Sequence, residues 1–352
     1  MELILPFYTK AIKFDDDYDF PSRIPFSLFQ DENGLIRQKS NQKLEKLLKK
    51  AYLLGSLFEG SLSNETGNIY YMAFKDFVLA NSCTKNDLLE IGCGNGEFLK
   101  DIGKNFHEIV GIEPGVREIH SDNVKFISGF YPQDLEQHDF DVIMHFGVLE
   151  HIEDPYEFLK SHHLNLSSSG LVIAAVPDCS DSLNDGDISI FFHEHFSYFT
   201  EDSLALLFSK SGFVPKIIKK YKGMIFIAAE KGDSNFQYSR IEEKIEEKIE
   251  EKIKYIKKTL ESYIDQEIAV YPCLRGINFL TFLERYQVRM VDDSSQLIGK
   301  YIPGFGSVIE SFKEIATNPP KLLIVCSKTY RTEILTKISK EKGLRDTKVE
   351  II

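Results

Sequence analysis

The feature that most constrains this chain is a short apolar run that ends in three glycines and opens directly into a helical pattern. Asp87-Leu88-Leu89-Glu90-Ile91 is followed by Gly92-Cys93-Gly94-Asn95-Gly96 and then by Glu97-Phe98-Leu99-Lys100-Asp101-Ile102. Glycines allow positive φ and let a ligand lie against the backbone, and a helix N-terminus offers free N–H groups to an anionic group. The same alternation continues to about residue 231. EIVGIEP, VKFISGF, DVIMHFG, GLVIAAVP and MIFIAAEK are short apolar runs of buried-strand type. YEFLKSHH and EDSLALLFSKSG read as helices, the second stopped by Gly212. Strands alternating with helices predict an α/β fold with a mostly parallel, doubly wound sheet, whose ligands sit beyond the C-terminal ends of the strands.

The remainder of the 352 residues divides around this block, and a chain of that length suggests about two domains. Residues 1–82 read as a mainly helical segment, with LEKLLKKAYLLGSLFEG and NIYYMAFKDFVLA amphipathic; Leu44, Leu47, Leu48, Leu53 and Leu54 fall at helical spacing. Residues 83–235 hold the first α/β domain. Residues 236–267 read as a connecting helix in which Ile241, Ile245, Ile249 and Ile253 recur every four residues. That period advances about 40° per step, so the stripe winds around the axis instead of making the 3.5-residue seam of a coiled coil. Like charges at i, i+4 (Glu243 with Glu247, Lys244 with Lys248) point to a solvated helix lying on a domain surface. Residues 268–352 repeat the strand–helix theme in a smaller C-terminal α/β domain: EIAVYP, QVRMVDD, KLLIVCS and TKVEII as strands, INFLTFLERY and YRTEILTKISKEKG as helices, and GKYIPGFGSVI as a loop.

A net charge of −12 argues against a general nucleic-acid binder. The five cysteines (Cys83, Cys93, Cys179, Cys273, Cys326) are scattered without C-x-x-C, so neither a disulfide framework nor a structural zinc site is expected. The opening MELILPFYTKAIKFDDD is no signal peptide, and no apolar stretch is long enough for a membrane span. The expectation is a cytoplasmic protein with no membrane or nucleic-acid partner; oligomeric state is open.

The glycine spacing narrows the ligand. It is G-x-G-x-G, whereas a dinucleotide fingerprint has G-x-G-x-x-G and would place glycine where Glu97 stands. A glutamate there crowds and repels a pyrophosphate, which disfavours a nicotinamide or flavin enzyme. About twenty residues on, Val110-Gly111-Ile112-Glu113-Pro114 puts an acid at a strand end, where a carboxylate accepts both ribose hydroxyls. Phe130, after Gly129, is placed to cover an adenine face. Together with DFDVIMHFGVLEHIEDP, this ordered set resembles the class I S-adenosylmethionine methyltransferases. The resemblance implies a Rossmann-like sheet, S-adenosylmethionine as cofactor, and Glu90, Gly92, Gly94, Gly96 and Glu113 as cofactor-binding residues, with Phe130 and His145 beside them.

Phe191-Phe192-His193-Glu194-His195-Phe196-Ser197-Tyr198-Phe199-Thr200 follows the fifth strand, near the ligand edge of the sheet. A zinc reading needs three or four ligands; on an extended segment His193 and His195 face one way and Glu194 the other, and this is not H-E-x-x-H, so no metal is expected. VLEHI, HEHFSYFT and a terminal domain carrying DDSSQLIGKYIPGFGSVI resemble the nucleotide-sugar C-methyltransferases and their relatives in surface-polysaccharide (capsule) pathways, over about residues 85–350. That likeness implies a nucleotide-sugar substrate, a site lined by His151, Glu194 and His195 with His193 adjacent, His195 as general base, and a terminal domain that helps enclose the substrate. The departures are specific. The family's N-terminal four-cysteine zinc site is absent, since no cysteine precedes Cys83; the tyrosine before His-Glu-His is Phe192; the asparagine before VLxHI is Gly147; and the terminal domain's glycine turn reads YPCLRG. Carbon methylation needs a donor to stabilise an enolate, and Phe192 has no hydroxyl to supply one. Oxygen methylation needs only loss of a hydroxyl proton. The balance therefore tips to O-methylation, with C-methylation of a 4-keto sugar, a nicotinamide-dependent sugar oxidoreductase, and a non-catalytic binding protein as alternatives. Tyr52, Tyr70 and Tyr71 are the tyrosines that could reach the site from the N-terminal segment.

Overall fold

The computed structural model describes residues 2–53, 65–82, 86–115, 124–234 and 244–352. Leu54, Cys83, Ile241 and Glu243 lie outside them. The chain forms two compact units, each assembled from separated segments: a larger one of residues 28–180 and 194–243, and a smaller one of residues 1–27, 181–193 and 244–352.

The larger unit is built on seven strands: β1 (Asp87–Ile91), β2 (Glu108–Glu113), β3 (Lys125–Ser128), β4 (Phe140–Phe146), β5 (Leu166–Pro177), β6 (Phe213–Tyr221) and β7 (Met224–Lys231). Their order is β3-β2-β1-β4-β5-β7-β6, with β1 to β5 parallel and β7 antiparallel to β5. The order reverses between β1 and β4, which makes the crevice beyond their C-terminal ends the ligand position in a sheet of this kind. Both faces of β1 and β4 are covered, so their sequences are continuous apolar runs. Leu89, Ile91 and Ile143 pack with Phe158, Leu159, Leu204 and Phe208 on one face. Leu88, Val142 and Met144 pack with Phe74, Val78, Phe98 and Leu99 on the other. The helix Glu201–Lys210 starts at a Thr200–Ser203 capping box and ends just before Gly212, as the sequence predicts. Edge strand β6 went unread in the sequence; Lys216, Lys219 and Lys220 give it the charge that keeps an edge from pairing with other chains.

In the smaller unit β8 (Glu267–Tyr271), β9 (Gln287–Asp292), β10 (Ile309–Ser311), β11 (Leu322–Val325) and β12 (Lys348–Ile351) form an all-parallel sheet in the order β10-β9-β8-β11-β12. The expected helix over INFLTFLERY is instead a 3₁₀ turn, Ile277–Phe282. Its aromatic and β-branched residues are poor helix formers, and Asn278 is drawn into the core, donating to the carbonyls of Ile188 and Phe191 at 2.7 and 2.8 Å. The connecting helix runs Ile245–Glu261 and buries Ile245, Ile249, Ile256 and Leu260. The four-residue stripe drifts off the contact face after two steps, and Ile256 takes over from Ile253, so spacings of 4, 7 and 4 restore the 3.6 period.

The segment 1–82 opens with strands, not helices. Glu2–Pro6 pairs antiparallel with Arg23–Ser27 in the smaller unit. In the larger unit Leu28–Gln30 pairs with Gln38–Ile36, and Ile36 and Arg37 pair with Tyr198 and Ser197. The helices Gln42–Leu53 and Glu65–Asn81 follow. Among the described residues, no helix is long and apolar enough to cross a membrane.

Candidate active site

The glycine turn sits at the switch point, because Ile91 pairs with both Ile112 of β2 and His145 of β4. Gly92, Gly94 and Gly96 have φ of 75°, 52° and 73°, a left-handed region that side chains disfavour. Their surroundings differ. A Cβ on Gly92 would lie 2.4 Å from Val148 Cγ2, whereas one on Gly94 would meet none of the described residues within 4 Å. Gly92 is thus closed by protein, and Gly94 faces open space. Glu113, at the end of β2, accepts from the Gly94 N–H at 3.4 Å and the Gly115 N–H at 3.0 Å, so its carboxylate is fastened to the turn. Glu90 is only 3% exposed, and its Oε2 has no hydrogen-bond partner among the described residues. Burial, then the nearby charge of Glu113, pushes its carboxyl well above the usual range. Such a carboxyl has much to gain from a cationic ligand.

Phe130 follows Gly129, whose N–H bonds the Glu113 carbonyl at 3.3 Å, and its ring is 43% exposed beside the turn. His145 differs from expectation: it has no exposed surface, and its ring packs edge-on to Phe158 and His162. Burial holds its pKa down to about 3, so it is neutral and backs the site from the core without a surface for a ligand. The residue that the pattern suggested at the strand end points down into the sheet's covering helix.

Residues from three separate stretches meet in a second cluster. Glu150 and His151 lie on a 3₁₀ turn after β4. The Phe196 N–H donates to the Glu150 carbonyl at 2.7 Å, and Gln38 fixes the same segment from the other side: its N–H bonds the Phe196 carbonyl at 2.9 Å and its Nε2 the His195 carbonyl at 3.3 Å. The His195 ring therefore stands edge-on to that of His151, with centroids 4.7 Å apart. His151 Nδ1 lies 3.0 Å from the Glu194 carbonyl and 3.3 Å from the Tyr52 hydroxyl. A carbonyl only accepts, so Nδ1 carries the proton and Nε2 the lone pair. Burial lowers the His151 pKa to about 4. Glu150 is pushed up to about 8 by burial, and Glu194 goes well above its ordinary range by burial and then by Glu150. Both carboxyls are 3% exposed, and among the described residues Glu150 Oε2 and both Glu194 oxygens have no hydrogen-bond partner.

His193 does not join this cluster. A turn at His193–Glu194 breaks the extended geometry assumed from the sequence, and the His193 ring belongs to the smaller unit. There it is buried between Phe7 and Phe26, with Nδ1 and Nε2 at 3.1 and 3.3 Å from the Pro6 and Ile24 carbonyls. As a neutral ring it donates to one of these carbonyls and packs against both strands. Of the three N-terminal tyrosines, Tyr70 donates to the Lys222 carbonyl and Tyr71 to Asp101, each at 2.8 Å, while Tyr52 reaches the cluster. The Tyr52 pKa is raised by burial, then by Glu194, Glu150 and Glu113, which places the hydroxyl within the fields of both the cluster and the turn's acid. Glu150 was missed in the sequence. Its only signal is adjacency to His151 in VLEHI, where an acid at a loop reads as solvated.

Residues 65–215 match the family model of a methyltransferase domain. The residues of the turn fit the S-adenosylmethionine that the sequence suggests: Gly94 leaves room for it, Glu113 is held at the turn, and the oxygen of Glu90 that has no hydrogen-bond partner among the described residues suits its cationic groups. No curated protein matches the chain. Among solved structures it is similar to 1,6-didemethyltoxoflavin-N1-methyltransferase from Burkholderia thailandensis, at 16% identity and a TM-score of 0.43, over 59% of this chain and 100% of that one. It is also similar to an S-adenosylmethionine-dependent methyltransferase from Mesorhizobium loti, at 13% identity and a TM-score of 0.37, over 46% of this chain and 96% of that one.

One departure from the expected motif has a simple explanation. Gly147, which stands where asparagine is common, has φ of 65°. Glycine and asparagine are the two residues that take up the left-handed region most readily, so the exchange keeps the turn.

Proposed function

We propose that this methyltransferase acts on a nucleotide-activated sugar for surface-polysaccharide synthesis and methylates a hydroxyl oxygen, with His195 as general base. The observation that carries the reading is the convergence of His195, His151, Glu194 and Tyr52 within the unit that holds the glycine turn. Methyl transfer from a sulfonium is an in-line displacement, so the protein must orient the acceptor and take up one proton. His195 takes it from the acceptor hydroxyl; Glu194 binds a neighbouring hydroxyl; His151 supports both. Gly92, Gly94, Gly96 and Glu90 receive the methionine end of the cofactor, Glu113 its ribose and Phe130 its adenine.

A second reading, carbon methylation of a 4-keto sugar, is favoured by Tyr52. The hydroxyl missing at Phe192 is replaced by one from the helix Gln42–Leu53. Since His151 Nδ1 is itself a donor, the Tyr52 O–H proton remains for another acceptor, such as an enolate oxygen. Incubating the enzyme and S-adenosylmethionine with a panel of sugar nucleotides, followed by mass spectrometry and NMR of the product, decides between them. A new O-methyl signal on a plain sugar nucleotide supports the first reading. A methyl on carbon, formed only from keto sugars, overturns it in favour of the second. No methylated product from any sugar nucleotide rejects both.

A further inference from the structure

We infer that Glu150, His151 and His195 form a divalent-metal site, one that would hold an ion of the manganese-to-zinc series against the acceptor. One carboxylate oxygen and one ring nitrogen from each histidine lie within 4.8 Å of one another. Two ligands on one ion, each at about 2.0–2.2 Å, stand up to about 4.2 Å apart, so small side-chain adjustments close the set. The pair within it is telling. His151 Nε2 and Glu150 Oε1 face each other at 4.0 Å, too far for a hydrogen bond and suited to a shared cation. Nε2 holds the lone pair because Nδ1–H is engaged by the Glu194 carbonyl, the arrangement by which a backbone acceptor sets a ligand histidine's tautomer. Among the described residues Glu150 Oε2 is buried without a hydrogen-bond partner, and the Glu194 carboxyl, buried in the same way, lies 4.0 Å from His151 Nδ1. Two acids withdrawn from water beside two half-buried imidazoles are costly alone, and a dication offsets that cost.

Two imidazoles with a carboxylate suit zinc, iron or manganese, and three protein ligands leave positions open. Those positions would take an acceptor oxygen, orient it and lower its pKa. This role rests on the acceptor lying where the proposed function puts it; the ion binding itself does not. With the ion bound His195 is a ligand, and without it the ring keeps the base role. The sequence hid the set because it suggested His193 and His195 as the pair, whereas the fold exchanges His193 for Glu150 and His151.

The test uses the full chain, stripped with chelator and dialysed in turn against Co²⁺, Mn²⁺ and Zn²⁺. The expected result is about one ion retained per chain, with Co²⁺ giving visible d–d bands, and at least a tenfold loss of ion affinity in both Glu150→Gln and His195→Ala. S-adenosylhomocysteine binding, measured alongside, shows that each variant is folded. If Glu150→Gln does not fold, His195→Ala decides. Failure to retain an ion, or retention unchanged in the folded variants, overturns the site. Ion binding with no methylation of any sugar nucleotide leaves the site standing and rejects the substrate.

Discussion

Replacing Gly92 and Gly94 by alanine separates the two jobs of the turn. Both residues hold left-handed φ, of 75° and 52°, and a Cβ there costs roughly 1–2 kcal/mol. At Gly92 the new atom would also stand 2.4 Å from Val148 Cγ2. Val148 packs on the core, so relief requires moving it, and overpacking of this kind costs about 1–3 kcal/mol. Gly92→Ala should therefore lose about 2–5 kcal/mol of stability in all, and Gly94→Ala only about 1–2. Ligand affinity should separate Gly94→Ala from the wild type even though its protein neighbourhood is open. The Cβ of Gly94→Ala meets no atom of the described residues within 4 Å and projects into the space assigned to the cofactor. A tenfold or greater loss of S-adenosylhomocysteine affinity is expected, about 1.4 kcal/mol or more. Urea unfolding reads the first quantity and calorimetry the second; the transition to follow is the one that the ligand shifts, which identifies the larger unit. The reasoning fails if Gly94→Ala binds as tightly as the wild type, or if it destabilises the protein more than Gly92→Ala does.

Three further outcomes are expected. His195→Ala should abolish turnover with cofactor affinity nearly intact, and Glu113→Ala should do the reverse; calorimetry and a transfer assay distinguish them, and equal loss of cofactor binding in His195→Ala would make that residue structural. Tyr52→Phe should leave cofactor affinity within about threefold of the wild type, and should cut turnover at least tenfold if the acceptor is a keto sugar, as expected for one lost oxyanion donor; unchanged turnover on a keto sugar would remove the hydroxyl from the mechanism. Burial holds His151 and His193 at about 4 and His145 at about 3, against 6.5 for an ordinary histidine. Between those values the unfolded chain binds the protons, so the stability that these rings contribute is full above pH 6.5 and is lost as pH falls through about 4. The buried acids Glu90, Glu150 and Glu194, with raised pKa values, act in the opposite sense, so the check compares the wild type with His193→Gln: the stability difference, wild type minus variant, should fall between pH 7 and 4, and a difference that rises would refute the sign.

The sequence by itself determined the seven-strand unit's parallel core, its glycine turn and the acid that serves it. Those are local matters: β1 and β4 are apolar throughout because both faces are covered, and the three glycines are needed wherever the backbone turns left-handed against a ligand. It also marked His151, Glu194 and His195 as candidates through a family likeness. Tertiary structure alone decided which polar residues share a pocket. His193 and His195 are two positions apart, yet a turn between them sends one ring into the strands of the smaller unit and the other to His151. His145 reads as a strand-end ligand residue, and only the packing of Phe158 and His162 shows it closed off. Glu150 and Tyr52 entered the site for the same reason. Glu150 acts on Glu194 and Tyr52 meets His151, 44 and 99 positions away in the chain, and no periodicity in the sequence records such a meeting.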